Sequence, residues 1–392
     1  MSIPLALVFL LAVGAFVAGA LLAVVVAKLR APRRRPWPAG SDAGAAAEIG
    51  ELYAHGVEAQ RAGKQAAAVA AYQELLRLEP GHGEAHARLG EIARGRGDDQ
   101  SALLHSLQAL RTDDRPETML AAADAYRQTG RPDDAIALYQ DVIARDPGHV
   151  AALRALRDVA AAEGRWADAL PAQERLVSAV GADERAAEQA WLAGIHYERG
   201  RAQVAGGDLT GGISAFRDAL RVQADFVPAA VALGDAHLQA GDAAQALRVW
   251  ERAVEAHPAL PLLSRIEHQR REEGRPTRMI ALYQGAVARQ PENLAIAVAL
   301  GRVYFDLSML DEAVEQLEKV EVRAPDLPVI HAFLGAVFER RGQMREAVDE
   351  YRRALRSLSS FEWPHRCTAC GAEHAGWADR CPICHRWNTL RP

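Results

Sequence analysis

The residues with the most specific chemistry stand at the C-terminal end. Cys367-Thr-Ala-Cys370 is followed, after ten residues that begin with Gly371, by Cys381-Pro-Ile-Cys384, and the chain has no other cysteine. Each C-x2-C pair presents two thiolates from one tight turn. Two such pairs supply the four soft donors of a tetrahedral site, suited to structural zinc or to rubredoxin-type iron. Gly371 gives the first turn backbone freedom and Pro382 stiffens the second. Four cysteines close the shell, so no position is left for a catalytic water and metal-assisted hydrolysis is not expected. A thioredoxin-like pair would be a single C-x2-C in a strand–helix context, and a disulfide framework would spread its cysteines through a small secreted domain. His365, His374 and His385 are read as bystanders. Trp363, Trp377 and Trp387 are expected to pack the small domain or to dock it on the last repeats. Residues 359–392 hold little core of their own, so the metal should contribute much of their folding free energy.

The platform for such a tail is a repeat array over residues 48–358. Pro258, Pro291 and Pro325 recur at about 34 residues, the tetratricopeptide period, with Pro80 and Pro147 as earlier members of the series. Gly56, Gly90, Gly234, Gly301 and Gly335 fall at the eighth position of their units, where a small residue lets two helices touch. Ala68, Ala135, Ala246 and Ala313 fall at the twentieth, and Tyr72, Tyr139, Phe216, Trp250, Tyr283 and Tyr351 at the twenty-fourth, where a ring fills the gap. These markers predict nine helix–turn–helix units starting near Ile49, Gly83, Pro116, Val150, Ala193, Val227, Leu260, Leu294 and Pro328. The one stretched interval, between the fourth and fifth units, contains Ser178–Gln189 and predicts an extended helix or a bend. A unit of this size cannot bury its apolar face alone, so stacking is obligatory. Ser308 stands where a turn glycine is expected. The histidines of the array, among them His86, His196 and His331, occupy different repeat positions on this reading and converge on no metal-ligand spacing.

Composition agrees. Apolar residues make up 49% of the 392 but aromatics only 6%, an alanine- and leucine-rich balance that favours packed helices over sheet. The net charge of −5 gives no bulk attraction to nucleic acid. No phosphate-binding glycine loop, nucleophile elbow or HExxH motif is present. At the other end, Ile3 to Ala27 carries no charge and is long enough to span a bilayer core. Lys28, Arg30, Arg33, Arg34 and Arg35 follow it and none precede it, so residues 1–28 are expected to be an uncleaved anchor with the repeats on the cytoplasmic side. Residues 29–47, with Pro32, Pro36, Pro38 and Gly40–Gly44, read as a basic, proline- and glycine-containing linker.

Anchor, nine repeats and a rubredoxin-like ending in Cys-Pro-Ile-Cys, with Arg386-Trp387-Asn388-Thr389 after it, together resemble the lipopolysaccharide assembly protein B family. The resemblance implies an all-α tetratricopeptide solenoid with one structural metal ion, zinc or iron, on Cys367, Cys370, Cys381 and Cys384, and a knuckle packed against the repeats. It implies a non-enzymatic inner-membrane protein, single-pass with a periplasmic N-terminus. Such a protein regulates lipopolysaccharide synthesis by helping the membrane AAA+ protease FtsH degrade the LpxC deacetylase, and it gathers other lipopolysaccharide assembly proteins. Nucleic acid is not expected as a partner, and homodimerisation is left open. His385 departs from the family pattern, in which glycine commonly follows the last cysteine. The residues alone leave two other readings: an electron-transfer protein on a helical scaffold, and a scaffold for other envelope complexes.

Overall fold

The computed structural model describes residues 42–275, 277–356 and 365–391. The expected anchor, most of the linker and Trp363 lie outside them. Among the described residues no helix is long and apolar enough to cross a membrane. The first helix begins inside the stretch read as linker, because Ala45, Ala46 and Ala47 follow Gly44 and favour helix.

Eighteen helices follow one another among the described residues, two for each of the nine units that the repeat markers predict. They are α1 (Asp42–Arg61) and α2 (Gln65–Leu78); α3 (Gly83–Gly95) and α4 (Asp99–Leu110); α5 (Pro116–Gln128) and α6 (Pro132–Arg145); α7 (Val150–Ala162) and α8 (Trp166–Ala179); α9 (Ala182–Ala205) and α10 (Leu209–Val222); α11 (Val227–Gln239) and α12 (Ala243–Ala256); α13 (Leu260–Glu272) and α14 (Arg278–Arg289); α15 (Leu294–Asp306) and α16 (Leu310–Glu321); α17 (Pro328–Arg340) and α18 (Met344–Arg356). Seven first helices begin at the expected residue. The first and fifth begin earlier, and α9 runs for 24 residues because the stretched interval is absorbed into its N-terminal half.

The described residues divide into two compact units, one ending at Ile92 and the other beginning at Ala93. In the first, Tyr72 is fully buried with Leu75, Ala68 and Leu89. A Cβ on Gly56 would stand 2.4 Å from the Tyr72 ring, which explains the small residue there. The same pair recurs through the second unit as Gly200 on Phe216, Gly234 on Trp250, Gly301 on Leu317 and Gly335 on Tyr351. Gly200, in phase with the fifth unit, is a member the sequence reading passed over. At the turn of the eighth unit Ser308 adopts φ of 61°, doing with strain what glycine does in the other turns.

Two units break the eighth-position rule with charge. Arg157 in α7 and Glu267 in α13 are both buried. Glu267 accepts from the Tyr283 hydroxyl at 3.0 Å and from Arg271 and Arg302. Burial by itself would raise its carboxyl, but the Arg302 bond and charge outweigh this and hold it below the ordinary range.

After α18, residues 365–391 form a three-stranded antiparallel sheet of order β2-β1-β3: β1 (His365–Cys367), β2 (Glu373–His374) and β3 (Leu390–Arg391).

A Cβ on Gly234 would come within 1.9 Å of Trp250 Nε1. Gly234→Val is therefore expected to cost roughly 1–3 kcal/mol by overpacking, whereas Gly50→Ala, with open space around it, should not destabilise. Thermal melting of the two variants checks this.

Candidate metal centre

The tail folds as two matching turns. Gly371 N–H donates to the Cys367 carbonyl at 2.8 Å, and His385 N–H donates to the Cys381 carbonyl at 2.9 Å. Cys367 N–H donates to the Ala372 carbonyl and Cys381 N–H to the Arg386 carbonyl, again as equivalents. The residue after each second cysteine takes positive φ, 75° at Gly371 and 56° at His385. His385 thus performs the glycine's role, and the departure from the expected sequence does not change the turn.

The four sulfurs lie within 4.8 Å of one another. Cys367 and Cys384 Sγ are 3.6 Å apart, and Cys370 and Cys381 Sγ 3.9 Å apart. Four sulfurs at about 2.3 Å around a tetrahedral ion stand roughly 3.8 Å from each other, so these spacings fit one ion at the centre. The electrostatics fit as well. Burial opposes the Cys367 thiolate, yet Thr389 and neighbouring backbone groups bring its thiol down to about 6. Burial, with the other three thiols adding to it, pushes Cys384 up to about 12. Four thiolates this close become stable together only around a cation. His374, read as a bystander, has Nε2 3.5 Å from Cys381 Sγ and lies against the cluster.

Trp377 packs the small domain beside Cys367, Cys381 and Leu390, one of the two roles expected of the tryptophans, but the tail docks on the fifth, sixth and seventh units rather than on the last repeats. Trp387 is buried with its ring over Gly194 of α9, where a Cβ would stand 2.4 Å from Cε3. Its Nε1 donates to Glu198 Oε1 at 3.0 Å. Trp191 meets it edge-on at 5.0 Å between centroids, Trp166 stands at 6.3 Å, and the Arg380 guanidinium covers it at 4.4 Å. Around this plug the Tyr197 hydroxyl donates to Asp379 at 2.7 Å and the Asn388 amide to the Asp225 carbonyl at 3.2 Å. Trp377 packs separately against the core of units six to eight.

The stretched interval builds half of this seat. Glu188 and Trp191 both come from the N-terminal extension of α9. Arg157 lies 4.3 Å from the Trp191 ring centroid and donates to Gln173 Oε1 at 3.1 Å and Glu188 Oε2 at 2.6 Å. Arg154 bonds Glu188 at 2.9 Å. Burial alone would raise the Glu188 carboxyl, but bonds from Gln173 and Arg154 and the charge of Arg157 hold it below its ordinary value. Neither Gly194 nor Glu188 falls on a repeat marker, so periodicity could not single them out. The unexplained length of the interval was the one signal available.

The histidines of the array are a correction of another kind. His86, His196 and His331 share the fourth position of their units. In two of them Nε2 bonds the carbonyl of the proline closing the preceding unit, His86 to Pro80 at 3.0 Å and His331 to Pro325 at 2.6 Å. His331 Nδ1 also meets Glu350 at 2.7 Å. Glu321 and Glu350 could join His331 around a cation, but Arg353 already pairs with both carboxylates.

Comparison with known proteins agrees with this architecture. A family described as "Rubredoxin metal binding domain" matches residues 365–392. Tetratricopeptide repeat families match residues 53–116, 116–156, 197–261 and 270–337. The chain is similar to lipopolysaccharide assembly protein B of Escherichia coli strain K12, 22% identical over 356 residues, covering 87% of this chain and 88% of that protein; the protein of strain O157:H7 matches equally. Among solved structures, MamA aligns with 48% of this chain at 19% identity and a TM-score of 0.32. Repeats along most of the chain, with a closed four-cysteine tail, point to a non-enzymatic protein built to bind other proteins.

Two outcomes follow. Gly194→Leu should expel Trp387 and leave the four cysteines able to bind metal, seen as faster proteolysis of the tail at unchanged metal content. Arg157→Met leaves Glu188 buried beside fewer donors and should cost about 3 kcal/mol or more, while Arg157→Met with Glu188→Leu should recover part of that loss. Denaturation of the three proteins measures the coupling, and strictly additive costs would refute it.

Proposed function

We propose that this protein is a membrane-tethered adaptor of lipopolysaccharide assembly, whose repeats hold protein partners and whose four cysteines hold one structural metal ion. The observation that carries this reading is the seating of the four-cysteine tail on the middle of the array, in a chain similar to lipopolysaccharide assembly protein B over 87% of its length. We assign residues 1–28 to the anchor, 29–47 to the linker, 48–358 to the array and 359–392 to the metal-binding tail. Cys367, Cys370, Cys381 and Cys384 are the ligands. The metal, zinc or iron, serves as a cross-link between the two turns, and the protein's own part is to hold that cross-linked tail against α9.

The finer reading concerns what the array carries. On the resemblance drawn from the sequence, the client is the LpxC deacetylase and the receiving enzyme is the protease FtsH, both met at the cytoplasmic face of the inner membrane. An anchor confines the array to the membrane plane beside a membrane protease, and tethering raises effective concentration to the millimolar range for short linkers without any new contact. The repeats supply stacked helix surfaces for the client, which is the use such arrays serve.

The test has two readouts. Purified wild-type protein should contain one metal ion per chain, and Cys367→Ser should lose it and free the tail. In cells, depletion of the protein should lengthen the half-life of LpxC several-fold, and the Cys367→Ser form should fail to restore it. An unchanged half-life on depletion would remove the proteolytic role. Full metal content in Cys367→Ser would remove the ligand assignment.

A further inference from the structure

A cavity lies where the tail meets the array, lined by residues other than the Trp387 plug. It measures about 140 Å³. Its apolar wall is Val227 and Leu260 from the starts of α11 and α13, with Trp377 from the tail. Its polar groups are Arg391 from β3, His257 and Gln290 from the ends of α12 and α14, Asn293 before α15, and His365 from β1; the Asn293 side-chain oxygen already accepts from Ile296 N–H at 3.3 Å. A cavity of roughly 150 Å³ accommodates a benzene-sized group, so this one has room for a single small side chain or its equivalent.

Among these groups Arg391 is the permanent cation. Arg391 Nη1 makes two long bonds of 3.3 Å, to Asn388 Oδ1 and to the Leu390 carbonyl. The rest of its guanidinium meets no acceptor among the described residues. The His257 ring makes no hydrogen bond among them. Gln290 Oε1 is taken by Asn293 Nδ2 at 3.1 Å, which leaves the Gln290 amide N–H₂ as the group on offer. Asp225 acts on Arg391 and His257 only at a distance, and its carboxylate accepts from Gln223 at 2.9 Å. Burial disfavours the charged form of Arg391 and of His257, and Arg391 further disfavours a charge on His257, so the neutral imidazole is favoured beside the guanidinium. A half-buried guanidinium beside spare donors and an aliphatic wall is under-compensated. Buried charge is ordinarily paired, so the partner this cavity lacks is an anion.

We propose that this cavity binds a carboxylate carried on a small aliphatic group. Arg391 meets the charge, the Gln290 amide donates a second bond, and Val227, Leu260 and Trp377 cover the carbon skeleton. Such a ligand is a single residue of a peptide, offering either its C-terminal carboxylate or an acidic side chain. Because its walls come from both the tail and the array, the site exists only while the tail is seated. The inference does not depend on which client the array carries.

Isothermal titration of the full chain in detergent with 3-methylbutanoate tests the site. Saturable binding with Kd on the order of 1 mM is expected for so small a ligand. The neutral 3-methylbutanamide, of the same shape, should bind at least about tenfold more weakly, and Arg391→Gln should lose a similar factor. Gln290→Leu, on the array and remote from the cysteines, should weaken binding several-fold with the tail still protease-resistant, which separates loss of the site from loss of the fold. N-acetylvaline against the amide of N-acetylaspartate then distinguishes a chain terminus from a side chain. Equal binding of acid and amide, wild-type affinity in both variants, or no saturable heat at tens of millimolar would each overturn the proposal.

Discussion

The seat of Trp387 on Gly194 is the contact that gives the tail its place in the second compact unit. A four-cysteine knuckle of this size has almost no interior. Its buried apolar side chains are Cys367, Cys381 and Leu390, with Trp387 turned outward into the array rather than inward, and His365 and Asn388 are its buried polar ones. The indole therefore counts as core of the fifth repeat as much as of the tail. Only glycine at residue 194 lets the ring lie on the helix backbone, and only a helix extended at its N-terminus brings Trp191 up beside it. If the ring were expelled, Asp379 and Asn388 would lose their partners on Tyr197 and Asp225 together, because all three contacts come from one short segment.

The parts of the array that obey the repeat and the parts that break it do different work. Glycine-on-ring pairs at Gly56, Gly234 and Gly335 hold neighbouring helices together and are interchangeable in kind. Arg157 replaces such a glycine, and its ring partner becomes Gln173, so the fourth unit trades apolar packing for a buried ion pair with Glu188. Buried pairs of this sort add little net stability over an apolar pair of the same shape. What this one adds is direction: it fixes the extension of α9 and stiffens the Trp191 ring that faces Trp387. A departure from the repeat that costs stability and lands beside the tail is where a local rule gives way to function.

Much of this was legible in the sequence, and the limit has a physical cause. Proline and glycine spacing located seven of the nine first helices to the residue, because those markers report on neighbours one turn or one repeat away. The four cysteines were legible for the same reason, since a C-x2-C turn is local. Trp387 was flagged, but its partner was not, because a contact between the tail and α9 leaves no period in the chain. Gly194 looks like any helical glycine until the ring above it is seen. The shared fourth position of His86, His196 and His331 is legible as a repeat feature, but its cause at His86 and His331, a bond to the carbonyl of the preceding proline, shows only in the fold.

The seat also says what a metal on the four cysteines would do for this protein. A segment of this length, tied by Trp387, Trp377 and a few polar bonds, would exchange on and off the array with most of its ordering cost charged to each docking event. An ion cross-linking its two turns through four sulfurs would order the segment beforehand, so that Trp387, Asp379, Asn388 and Arg391 would arrive as one rigid surface. The seat of the tail, and with it the cavity between Arg391 and His257, would then be a standing feature of units five to seven.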